Sequence, residues 1–99
     1  MTSGKTQEDI KLILGSVRAL WGMVTPNLRS VSVELQDETI FWQCIFDEEA
    51  SDDDLRLMND ASAELIADFD TNKIEEKILR VSFPREMIHL KNLIYLRKE

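Results

Sequence analysis

The spacing of apolar residues switches between a helical and a strand period in the order α-β-β-α-β-β, and few layer architectures can absorb that order. Thr6 and Asp9 form a capping pair, so a helix is expected to start near Gln7. Ile10, Ile13, Leu14, Val17, Leu20, Trp21 and Val24 then recur at three-and-four spacing, which predicts a one-faced packing helix to Val24, before Pro26 stops it. Gly15 costs about 1 kcal/mol of helix propensity, which fits either a close approach of another backbone or a tolerated accident.

From Leu28 the period becomes two. Arg29, Val31, Val33 and Leu35 share one face, with Ser30, Ser32 and Glu34 on the other, which predicts a half-buried strand over Leu28–Leu35. Gln36-Asp37-Glu38 reads as a turn into a second strand, Thr39–Phe46, rich in aromatic and β-branched residues. Ser51 with Asp54 marks a second helix, Ser51–Phe69, whose stripe is Leu55, Met58, Ser62, Leu65 and Phe69, widened by Ala61 and Ile66. Strands over Ile74–Phe83 and Leu93–Arg97 close the chain, and Arg85 to Asn92 reads as a loop or single turn.

The expected fold is therefore α+β: a two-layer sandwich, with a four-stranded, mostly antiparallel sheet carrying two helices on one face. Two wirings stay open. Either the last strand inserts between the second and third, as in a permuted ferredoxin-like fold, or the strands form a meander with the last at an edge. A length of 99 residues supports one domain, 1–99, with residues 1–5 expected to be disordered.

Composition excludes several functions. No run approaches the roughly 18 to 20 apolar residues of a membrane helix, and the polar start lacks the apolar core of a secretory signal, so a cytoplasmic protein is expected. Cys44 is the only cysteine and His89 the only histidine, which argues against an internal disulfide and a His- or Cys-rich metal site. Counted from Asp47, the sixth and twelfth residues are Asp52 and Met58, where a calcium loop needs glycine and glutamate. No cofactor, metal site or catalytic residue is expected: no glycine-framed serine or phosphate cradle occurs, His89 reads as a surface or partly packed ring, and Cys44 as a buried, inert thiol.

Charge is the least random feature. With 12 basic and 19 acidic residues the net charge is −7, which opposes nucleic acid and anionic membranes and suits a basic protein partner. No lysine or arginine lies between Arg29 and Arg56, where Glu34, Asp37, Glu38, Asp47, Glu48, Glu49, Asp52, Asp53 and Asp54 stand, while seven of the basic residues lie at or after Lys73. These carboxylates are the candidate docking residues, against the plainer reading of a solvated loop with good helix capping. Phe41 and Trp42, adjacent in a strand, must point to opposite faces. Trp21 and one of these two rings are expected in the core, leaving the other as an apolar anchor on the open sheet face.

The stretch Arg18-Ala19-Leu20-Trp21-Gly22-Met23-Val24-Thr25-Pro26-Asn27-Leu28-Arg29 and the closing Tyr95-Leu96-Arg97-Lys98-Glu99 resemble a family of small bacterial proteins. Size, acidity and element order are similar to immunity proteins that neutralise colicin-type or contact-dependent growth inhibition toxins. That resemblance implies a cytoplasmic inhibitor binding a basic, nuclease-type toxin domain, without catalysis of its own. The alternative is a structural or regulatory module that self-associates through the open sheet face, as a homodimer.

Overall fold

The computed structural model describes residues 6–99; the expected disorder of residues 1–5 lies outside them. The elements follow the expected order: α1 Gln7–Ala19, β1 Leu28–Gln36, β2 Thr39–Phe46, α2 Asp52–Ile66, β3 Lys73–Arg80 and β4 Asn92–Leu96. Both helices start where the capping pairs place them. The Thr6 and Ser51 hydroxyls accept from the backbone N–H groups of Asp9 and Asp54, and each aspartate carboxylate accepts from the N–H of its cap residue.

The helices end early. Gly22, at φ 76°, takes the left-handed region, and a turn closed by Met23 N–H donating to the Leu20 carbonyl replaces the expected helix through Val24. In the same way α2 stops at Ile66 and two further turns carry Phe69 into the core. The hairpin turns at Asp37, whose φ of 55° an aspartate tolerates better than most residues. β3 ends at Arg80, three residues before the expected Phe83, because the chain then leaves the sheet plane.

The strand order is β3-β2-β1-β4, which matches neither expected wiring. The last strand lies at an edge, but beside β1. Hairpin pairing of β1 with β2 is antiparallel, as is β1 with β4, while β2 and β3 run parallel with α2 as their crossover. A helix that returns the chain to the start of β2 must deliver a parallel neighbour, and this removes the meander.

One face of the sheet presents Leu28, Val31, Val33, Ile40, Trp42, Cys44 and Phe46 to Leu12, Ala19, Met58, Ala61 and Leu65 of the helices. A bulge at Arg29 interrupts the β1 alternation, so Arg29 leaves the face it was expected to share with Val31. The other face is not open over β1 and β2. The segment from Val81 to Lys91, with a cis Phe83–Pro84 peptide, crosses it as a strap. Gln43 Nε2 donates to the Ile88 carbonyl at 2.8 Å, Leu90 N–H to Ser32 Oγ at 3.0 Å, and Ser30 Oγ meets His89 Nδ1 at 3.3 Å. Strap and strands together bury Arg29, Ser30, Ser32, Gln43 and Ile45.

The largest departure concerns α1. Its buried residues are Asp9, Leu12, Ser16 and Ala19; of the expected packing stripe Leu20 is buried and Ile13 half-buried, but Ile10, Leu14, Val17, Trp21 and Val24 are all exposed. Small residues on the inner face let the helix lie close to its neighbours. Gly15 does mark a close approach, but of a side chain, since a Cβ there would sit 3.1 Å from Leu65 Cδ1.

Candidate functional site

β2 separates the acidic segment into two groups. Its eight residues span about 23 Å at ~3.3 Å per residue, with Asp37 and Glu38 before one end and the carboxylates that begin at Asp47 beyond the other. The hairpin end is joined by the start of β3, where Lys73 N–H and Asn72 Nδ2 both donate to the Glu38 carbonyl.

Part of the acidic segment is engaged within the fold, Asp47 and Glu48 by basic residues of the C-terminal third. Arg97 bonds Asp47 at 2.6 Å and Arg85 lies 3.9 Å from Glu48, while Arg80 donates to the Glu48 and Ala50 carbonyls. Glu34 accepts from Lys91 N–H at 3.1 Å and from Gln36 Nε2. Asp53 pairs with Arg56 one turn on, and Asp54 accepts from Ser51 N–H and Asn27 Nδ2. The Arg97 guanidinium, helped by Phe83 N–H, holds Asp47 below the usual carboxylate range; the Ser51 N–H, then Asn27, do the same for Asp54. Of the nine carboxylates, Asp37, Glu38, Glu49 and Asp52 make no hydrogen bond or ion pair among the described residues.

The aromatic residues also sort themselves. Trp42 is 1% exposed and belongs to the core, so Phe41 is the ring left for the opposite face. There it is half-buried beside a hollow of about 330 Å³ that also reaches Glu75, Lys77 and Leu90. Trp21, expected in the core, is 72% exposed because it continues the outward side of α1, one turn past Val17.

Little of this arrangement can do chemistry. His89 reaches Ser30, but Ser30 is covered by the strap, so the pair serves to tie strap to sheet. Cys44 is buried, and desolvation pushes its thiol up to about 12, far from a reactive thiolate. Among the described residues no three His, Cys, Asp or Glu side chains gather closely enough to hold a metal ion. Among the same residues no helix is long and apolar enough to cross a membrane.

What remains is a small acidic body whose free features are carboxylates and apolar surface. Residues 9–99 match the family model described as MafI2 immunity protein. The chain belongs to the MafI2 immunity protein family. The resemblance drawn from size, acidity and element order thus points to the right class, and toxin immunity is the function that this family suggests. No curated protein sequence matches the chain.

Sequence reasoning missed two features of this immunity-family fold. The apolar periodicity of α1 predicts an inward stripe, but Ile10, Leu14 and Val17 face solvent while Leu12, Ser16 and Ala19, with weaker periodicity, form the inner face. The other is the buried cluster of Arg29 with Glu99, formed across a separation of 70 residues. The only local hint was an arginine on the nominal core face of β1.

Proposed function

We propose that this protein is a non-catalytic cytoplasmic inhibitor that neutralises a cognate toxin by binding its basic, nuclease-type domain. The match to the immunity family over residues 9–99 carries the reading. The excess of 19 acidic over 12 basic residues supports the choice of a basic partner, because complementary potential raises association rate and selectivity. Unpaired Asp37, Glu38, Glu49 and Asp52 project from both ends of β2 and act as the steering charges; Phe41 offers part of a ring on the sheet side. Asp47, Asp54 and Glu34 are engaged internally and contribute mainly to the fold. The strap over β1 and β2 counts against self-association through that part of the sheet face.

The experiment is co-expression. The toxin domain encoded beside this protein's gene, produced alone and together with the protein, is assayed for host growth and co-purification. Protection with a stable complex supports the reading. Unprotected cells containing folded protein would refute it. The Glu38→Lys, Glu49→Lys double variant should slow association several-fold at low salt and much less above ~0.5 M salt, where the Debye length falls below about 5 Å.

A further inference from the structure

We infer that the outer face of α1 is the apolar centre of the surface this protein offers its toxin, with Glu64 of α2 and Asp68 of the turn after it as its carboxylate rim. The inference rests on the immunity reading and adds the contact surface to it.

Ile10, Leu14 and Val17 line one side of α1, and Trp21 continues that line beyond the helix end, a stripe of about 17 Å at ~1.5 Å per residue. Exposure is greatest at Leu14, 61%, and Trp21, 72%. Among the described residues no element covers it, because α1 turns Leu12, Ser16 and Ala19 to the sheet and α2. Contiguous apolar surface of this kind marks interfaces, and tryptophan is the commonest anchor in them.

The rim identifies the occupant. Glu64 and Asp68, one turn apart on the α2 side, share a hollow of about 510 Å³ with Arg18 and Trp21, and Asp68, with Lys11 and Arg18 of α1, also borders one of about 740 Å³ beside Ile10 and Leu14. Neither carboxylate has a partner among the described residues. A second copy of this chain carries the same net charge of −7, so self-pairing meets long-range like-charge repulsion that a basic domain does not. A basic domain with an apolar protrusion satisfies stripe and rim together. That is the chemistry expected of the toxin, and it places the strongest contact on the helical layer instead of at Phe41.

The test titrates a catalytically inactive toxin domain against full-length wild type, Trp21→Ala, Leu14→Asp, Glu64→Lys with Asp68→Lys, and Phe41→Ala, with light scattering of each protein alone. Because Leu14 and Trp21 are exposed, their variants should keep the wild-type melting temperature to within a few degrees. Trp21→Ala should weaken binding by about thirtyfold or more, mainly through faster dissociation, and Leu14→Asp by more. The double charge reversal should slow association at low salt. Wild-type affinity in both Trp21→Ala and Leu14→Asp would overturn the inference, as would Phe41→Ala abolishing binding while these two do not. A wild-type dimer that Leu14→Asp dissociates with toxin binding untouched would also overturn it, assigning the stripe to a second copy. If the wild type neither binds nor protects, the immunity reading falls first, an outcome distinct from all of these.

Discussion

Removing Glu99 should cost this fold more than any other single surface carboxylate. Arg29 is a buried cation, its side chain 3% exposed, and Glu99 grips it with two bonds, from Nε at 2.7 Å and from Nη2 at 2.9 Å. The remaining guanidinium nitrogen donates to the Val81 and Arg85 carbonyls, and the Phe83 ring lies 5.9 Å from the cation, so Arg29 also pins the strap. Glu99 in turn accepts from Arg97, which holds Asp47. Breaking a fully buried pair by removing one partner costs about 3 to 5 kcal/mol, and a hydrogen bond to a charged group is worth about 1.5 to 3. Glu99 keeps 17% exposure, which lets water reach the orphaned guanidinium. The expected loss for Glu99→Ala is therefore near the lower bound, about 3 kcal/mol. Arg29→Met should lose about 2 to 3, since the two carbonyls are stranded but Glu99 retains Arg97 and solvent. The double variant should lose about 1 to 2 kcal/mol less than the sum, as residues in one network do not add. Urea unfolding at pH 7 with an unchanged m-value measures each, and the Glu99→Ala melting temperature should fall by roughly 12 to 24 °C. A loss below about 0.5 kcal/mol, or strict additivity, would show that the cluster is an incidental surface pairing.

Acid should destabilise the protein in a defined window. Glu99, held down by Arg29, Asp47 by Arg97, Asp9 by Lys91 and Asp54 by Ser51 N–H all titrate below their ordinary values of 4.5 or 3.8 when folded. Their stabilisation is present above those values and lost as pH falls through the lower folded ones, so urea midpoints should hold from pH 7 to about 5 and drop below about 4.5; a flat profile to pH 3 contradicts this. Cys44, with its thiol raised to about 12, should resist an aromatic disulfide reagent at pH 8 in the native state and react fully in denaturant. Native labelling as fast as that of a free thiol would show local opening of β2. Among the described residues the buried Ser16 hydroxyl has no partner, and Ser16→Ala should raise stability by about 1 kcal/mol in thermal melts, as a desolvated group is removed and helix propensity gained. A loss would mean that the hydroxyl is satisfied in solution.

What the sequence alone determined are the features whose partners lie within a few residues. Both capping boxes, the hairpin register around Asp37 and the element order depend on contacts at separations of two to four, and each can be read directly from residue spacing. The α2 face was legible as well, because only one side of that helix is apolar. On α1 two sides compete: the periodic one, Ile10-Leu14-Val17, and the small one, Leu12-Ser16-Ala19. Hydrophobicity favours the first, but the space between Leu65 and the sheet admits only the second. That space exists only after α2 and the sheet have met, so no local signal can report it. Strand order, the strap over the sheet, the Arg29–Glu99 pair and the internal neutralisation of Asp47 and Glu48 all join residues more than thirty positions apart. A charge run in the sequence specifies how much charge the chain carries; only the tertiary structure decides how much of it is left for a partner, because the countercharges arrive with β3, the strap and β4.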